Sequence, residues 1–138
     1  MIVVDTNVVS ELMRPFPAAV VREWVVAHSA GVLYTTSITL AEIRYGIERM
    51  PDGRRKDLLR ATAEDVFVAF EKQVLPFDTP AATQYASVVT DRDRVGLPID
   101  GFDAQIAAIC RAHNASLATR NLKDFHETGI DLIDPWQA

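Results

Sequence analysis

The amino-acid sequence predicts an α/β fold in which a parallel sheet is covered by helices on both faces. Three observations lead there. Short apolar or β-branched runs recur between longer segments of helical periodicity, the pattern of repeated strand–helix units. The first run, Ile2-Val3-Val4, is uniformly apolar rather than alternating, as a strand buried on both faces must be. Residues that cap or break helices stand between the segments. With 138 residues, 49% hydrophobic and 24% charged, the chain is expected to form one domain, residues 1–138, with a substantial core.

The elements follow in order. After the first strand, Pro15 and Pro17 lead into a helix with Val20, Val21, Trp24, Val25 and His28 at helical spacing, ended by Ala30-Gly31. Val32 to Thr36 reads as a second strand. The next helix opens at Ser37 and carries Leu40, Ile43, Ile47 and Met50 until Pro51-Asp52-Gly53 breaks it. A helix over Arg55 to Lys72 is expected to bury Leu58, Leu59, Val66, Phe67 and Phe70. Val74 to Phe77 is a short extended piece. Asp78-Thr79-Pro80 then combines a cap with a first-turn proline, and the helix it starts runs out near Gly96. Asp100 caps a helix expected to face the core with Phe102, Ile106, Ile109 and Cys110, and Asn114 stops it. Ser116 to Thr119 and Ile130 to Ile133 are the last strands.

Composition narrows the function. The N-terminus has no basic leader and no apolar run approaches membrane-spanning length, so a cytoplasmic protein without a membrane role is expected. A single cysteine, Cys110, excludes an internal disulfide and a multi-cysteine zinc site. The net charge of −5 argues against a general nucleic-acid coat protein and suits a chain that concentrates carboxylates or binds a basic partner. The basic clusters Arg54-Arg55-Lys56 and Arg92/Arg94 read as solvated helix surface. His28, His113 and His126 lack metal-ligand spacing and read as structural, and Gly46 reads as a position of close helix packing.

The acids carry the chemistry. Asp5 ends the first strand and is followed by Thr6 and Asn7, at the sheet edge where ligands bind in open α/β folds. Taken alone it is a helix cap. Glu42 falls three residues after Thr39, a spacing that also fits a capping box. Asp103, in the first turn of a helix, also complements the helix dipole. Asp124, in the loop after Thr119, alone is an ordinary solvated acid. Together these positions and Asn121 fall just after strands or in first turns, along one edge of a parallel sheet. Carboxylates gathered there repel one another. A hard divalent cation such as Mg²⁺ relieves the repulsion, and it suits phosphate chemistry.

At these residues the sequence resembles the PIN domains, and within them the VapC-type ribonuclease toxins with their FitB-like subgroup. The segments concerned are Asp5-Thr6-Asn7-Val8-Val9-Ser10, Thr39 to Gly46, Asp103 to Ala108, and Ala118-Thr119-Arg120-Asn121 with Asp124-Phe125. The resemblance runs over essentially the whole chain, to Asp134-Pro135-Trp136. It implies a five-stranded parallel sheet, RNA cleavage dependent on Mg²⁺ or Mn²⁺, inhibition of translation, a homodimer, and a VapB-like antitoxin that occupies the site. It places metal-ligand and catalytic roles on Asp5, Glu42 and Asp103, with Thr6, Asn7 and Thr119 in support. The family's fourth acid falls at Asn121, which brings no charge, and Asp124 is the nearby substitute. DNA would be reached only through the antitoxin, since this acidic chain has no evident DNA-reading element. Two other functions fit parts of the pattern. An aspartyl-phosphate phosphohydrolase also opens with a strand ending in Asp, although it wants an acid where Asn7 stands. A PIN-like partner-binding module without catalysis would tolerate Asn121.

Overall fold

In the computed structural model, which describes residues 1–138, five strands form one parallel sheet. They are β1 (Ile2–Val4), β2 (Leu33–Thr36), β3 (Val74–Leu75), β4 (Ser116–Ala118) and β5 (Leu132–Ile133), in the order β3-β2-β1-β4-β5. The helices are α1 (Thr6–Leu12), α2 (Ala19–Val26), α3 (Ser37–Glu48), α4 (Arg54–Ala69), α5 (Thr79–Arg94) and α6 (Gly101–Ala112). From β1 the chain moves outward to β2 and β3, then returns to place β4 on the other side of β1. The direction reverses between β1 and β4, which makes that gap the topological switch point where such sheets bind ligands.

Alternation along β1 builds two cores from one strand. Val3 points to the face covered by α5 and α6, where it meets Val88, Ile106, Ile109 and Leu117. Val4 points to the opposite face and packs with Val8 and Val9 of α1, Val21 of α2, and Ile43 and Ile47 of α3. Val3, Val4, Ile106 and Leu117 are fully buried, each side chain stabilising the fold by roughly 1.5–3 kcal/mol relative to exposure. Cys110 is buried in the first of these cores, and burial pushes its thiol pKa up, which leaves it protonated and inert. No helix is long and apolar enough to cross a membrane.

Helix ends match the local chemistry of the sequence. Asp78 accepts the Ala81 N–H at 3.2 Å to start α5. Asn114, at φ 52°, follows α6, and the Ala115 N–H reaches back to the Cys110 carbonyl at 2.9 Å in a Schellman closure. Gly96, at φ 71°, closes α5 in the same way.

Several boundaries and burials differ from expectation. α4 stops at Ala69 rather than Lys72, because Gln73 must turn into the sheet, where its side chain donates to the Leu33 and Ala30 carbonyls. β3 ends at Leu75 because Pro76 has no N–H to extend the ladder. β2 starts at Leu33 and β5 at Leu132, each one or two residues later than the apolar run. Leu58 is 64% exposed, on the wall of an open groove, and Phe102 is 51% exposed in the first turn of α6 at the rim of the sheet. Gly46 packs against nothing: a Cβ there would meet no atom within 4 Å, and the residue lines the same groove as Leu58.

Two of the basic residues expected on the surface are buried instead. Lys56 donates to the Glu48 carbonyl at the end of α3 and to Asp52. Arg92 spends its guanidinium on backbone alone, donating to the carbonyls of Leu97 (2.6 Å), Pro98 (3.3 Å), Asp124 (3.0 Å) and His126 (2.8 Å). It thereby ties the segment leading into α6 to the 3-10 turn at Leu122–Phe125. The histidines are structural in at least one case, His28, which bonds the Trp24 carbonyl at 2.7 Å and lies against the Trp24 ring.

Candidate active site

At the switch point the chain leaves β1 through Asp5, which is extended (φ −74°, ψ 167°) and caps α1. Its two carboxylate oxygens are differently employed. Oδ1 accepts the Thr6 N–H at 2.8 Å; Oδ2 accepts the Thr119 hydroxyl at 2.8 Å and the Asn7 amide at 3.3 Å. Thr119 sits immediately after β4, so a bond across the switch point joins the ends of the two central strands. The same hydroxyl oxygen accepts the Asn121 N–H and the Asn7 amide, each at 3.1 Å. Asn7 in turn accepts the Arg120 N–H at 3.2 Å. Both the cap reading of Asp5 and its place in an acid cluster hold, and with both oxygens engaged it makes a poor nucleophile for an aspartyl-phosphate mechanism.

A second network holds Glu42. The Thr6 hydroxyl donates to Glu42 Oε1 at 2.8 Å and lies 3.1 Å from the Thr39 hydroxyl, which Thr36 approaches from behind. The capping box expected between Thr39 and Glu42 does not form. Thr36 is the cap of α3, accepting the Thr39 N–H at 3.1 Å, which moves Glu42 into the second turn and frees it to face α1. Asp103 stands in the first turn of α6, capped by Asp100, and receives no hydrogen bond from the protein.

Asp5, Glu42, Asp103 and Asn121 line a single cavity of about 570 Å³. Asp124 is not on its wall, but its negative charge acts on both Asp5 and Asp103. Asp5, Glu42 and Asp103 each hold their protons more tightly than usual. Burial raises Asp5 first, and Thr119 and Thr6 partly offset it by bonding the charged form. Burial also raises Glu42, against the Thr6 bond and with the charges of Asp5 and Asp100. Asp103 is pushed furthest, to about 7, by burial and then by the charges of Asp5, Asp100, Asp124 and Glu42.

The donor set is all oxygen and rich in negative charge, as a hard divalent cation requires. No three His, Cys, Asp or Glu side chains stand close enough together to enclose an ion by themselves.

Four residues of the cavity wall had no site role expected from the sequence: Glu11 and Arg14, and Arg120 and Trp136, which entered only as parts of motifs. Glu11 is buried, accepting the Ala18 N–H at 3.1 Å and facing Arg14 at 3.5 Å. Asn7, Ser10, Glu11 and Arg14 follow one another at helical spacing, so a polar stripe beside Asp5 was legible. The meeting of Arg120 with Trp136 has no local signal. An adjoining groove of about 640 Å³ opens from the cavity at Thr6, Ser10, Arg14 and Glu42 and is lined by Ile43, Ile47 and Met50 among others.

Fold and site together are those of a small nuclease-like α/β domain with an acidic pocket at its switch point, and the chain belongs to the PIN-domain family, whose model matches residues 2–130. It is 39% identical over 138 residues to "VapC ribonuclease Y4jK" of Sinorhizobium fredii, covering 99% of both chains. Among solved structures it is similar to FitAcB from Neisseria gonorrhoeae, with 33% identity, complete coverage of both chains and a TM-score of 0.93. A FitAB complex bound to an IR36 DNA fragment gives 34% identity and a TM-score of 0.92, covering 99% of this chain and 96% of that one.

The raised proton affinity of Asp103 has a thermodynamic sign. A carboxyl that binds its proton more tightly when folded destabilises the fold once pH passes its unfolded value, and the penalty is complete above its folded one. Without metal, Asp103→Asn therefore raises the melting temperature above pH about 7, and the gain vanishes as pH falls below 3.8. Thermal unfolding in chelator across that range checks it; a gain that persists in acid would contradict it.

Proposed function

We propose that this chain is a metal-dependent endoribonuclease, the toxin of a type II VapBC-type toxin–antitoxin pair, which inhibits translation in the cytoplasm by cleaving RNA. The observation that carries this reading is the convergence of Asp5, Glu42 and Asp103 on one cavity at the switch point, each with raised proton affinity. The likeness to a VapC ribonuclease over the full length supports it.

Asp103 and Glu42 would hold the cation directly, since Asp103 spends neither oxygen on the protein and Glu42 spends one. Asp5 would complete the site from beneath, its position held by Thr119, Asn7 and the Thr6 N–H. When bound, Mg²⁺ or Mn²⁺ supplies polarisation of the phosphodiester and a lowered pKa for the attacking water. Asn121 stands where the family's fourth acid falls and offers an amide to a water or ligand. Asp124 acts from outside the wall through its charge.

In this reading the partner is a VapB-like antitoxin. A basic side chain, best an arginine with its fork of donors, pairs with the pocket carboxylates and blocks RNA, while its segment lies along the adjoining groove. DNA is contacted by the antitoxin, in keeping with the FitAB complex on DNA. The chain is a homodimer; Tyr45 and Val26, 67% and 76% exposed, offer apolar surface in the two helices where pairing is expected.

Asp5→Asn abolishes RNA cleavage in Mg²⁺ while preserving the fold, read by gel cleavage beside circular dichroism; full activity in that variant would remove the site assignment. Asn121→Ala and Asp124→Ala have smaller, separable effects. In a co-expressed complex, replacing the antitoxin's basic residues nearest the pocket by alanine weakens affinity and restores RNase activity. Should every such variant inhibit fully, inhibition is by steric cover or by remodelling elsewhere, and the inserted basic residue is ruled out. Light scattering at micromolar concentration reports a dimer, and a monomer would exclude the pairing.

A further inference from the structure

Arg14 and Arg120 are the cations on the cavity wall, and they are in different states. Arg14 faces the buried Glu11 at 3.5 Å. Arg120 takes part in no ion pair, and its guanidinium donates no hydrogen bond, although the cavity it lines holds four carboxylates. Its position is nevertheless set from both ends. The backbone N–H is bonded to Asn7 Oδ1, and the Asn7 amide holds Asp5 and Thr119. The guanidinium lies 5.0 Å from the centre of the Trp136 ring, a cation–π contact. Trp136 is itself anchored: its backbone N–H donates to Asp134 Oδ1 at 2.9 Å and its ring packs against the core beneath α2. A planar cation with unspent donors thus stands on the wall of an acidic pocket, held against a ring that is itself fixed in the core.

We infer that Arg120 is a phosphate-binding residue of the cleavage site, gripping a phosphodiester of the RNA, with Trp136 as the positioning residue that holds its guanidinium. The inference rests on the nuclease reading above and names a residue which that reading leaves unassigned. Charge requires something of the kind. A divalent cation among Asp5, Glu42 and Asp103 still leaves those groups one charge negative, and the chain as a whole carries −5, so an incoming phosphate meets repulsion. Arg120 cancels that remaining charge. Its fork matches two phosphate oxygens at once, which a lysine cannot do. The ring holds the fork in place before substrate arrives, so less rotamer freedom is lost when it binds.

The test uses the full chain and a short fluorescein-labelled single-stranded RNA of mixed sequence. Binding is measured in the non-cleaving Asp5→Asn background with Mg²⁺ across a range of salt. Arg120→Ala is expected to reduce the steepness of the log affinity against log salt plot by about 0.7, the loss of one phosphate contact on a single strand, and Arg120→Lys to keep it. In the cleaving protein Arg120→Ala lowers kcat by about 100-fold, the range for losing a transition-state donor, and Arg120→Lys restores only part. Trp136→Leu lowers kcat in the wild type but adds nothing to Arg120→Ala, because the two act as a unit. An unchanged salt slope and kcat in Arg120→Ala, in a chain that cleaves RNA, overturns the phosphate contact and leaves the nuclease reading standing. A wild-type chain that cleaves no RNA, yet loses salt slope in Arg120→Ala, overturns the nuclease reading and leaves the contact. Fully additive losses in the double variant overturn the positioning role of Trp136.

Discussion

A carboxylate sealed beneath a sheet edge must be matched donor by donor, and much of this molecule follows from how Asp5 is matched. An isolated buried charge is costly enough that a group normally sheds it. Asp5 is 4% exposed, and three donors from two places meet it: the first N–H of α1 and the amide of Asn7 beside it, and the hydroxyl of Thr119 after β4. For Thr119 to be there, β4 must lie beside β1, which is the crossing that reverses the strand order. The switch point and the hydrogen bond are one arrangement seen at two scales.

Around that bond the pocket has two walls of different character. On one side α1 and α3 are laced by hydroxyls, Thr36 to Thr39 to Thr6 to Glu42, so that the second acid is held by neutral donors. On the other side the segment after β4 and the C-terminal turn supply Asn121, Arg120 and Trp136. Between them Asp103 is left without a protein donor, and repulsion has no local remedy. The pocket is therefore fully organised where its groups meet protein and incomplete where they would meet an ion and a phosphate. Such incompleteness carries a stability cost, and it is the usual mark of a site adapted to something it binds.

What the sequence disclosed and what it hid divide along physical lines. Strand positions, the α5 and α6 caps at Asp78 and Asp100, and the closures at Gly96 and Asn114 depend on a few neighbouring residues, so they were legible. The acids Asp5, Glu42 and Asp103 were legible as a set because strand ends in a parallel sheet share an edge. Glu42 was nearly lost to a capping box, since Thr36 and Thr39 offer the same cap chemistry three residues apart and only packing against Thr6 selects between them. Leu58 and Gly46 misled because helical periodicity marks an apolar face without saying whether anything covers it. Arg92 misled in the opposite sense: a charged residue beside others of its kind gives no sign that four carbonyls await it.

Arg92 has a consequence for how the protein can change over evolutionary time. Its guanidinium holds the carbonyls of Leu97, Pro98, Asp124 and His126, and every amino acid supplies a carbonyl. The clamp is indifferent to the side chains of the segments it fastens. Residues flanking the pocket on α6 and after β4 can drift, acquiring new shapes and charges for new targets, while the backbone beneath them keeps its course. One buried cation lets the rim of the pocket vary as loops do, on a frame that stays put as cores do.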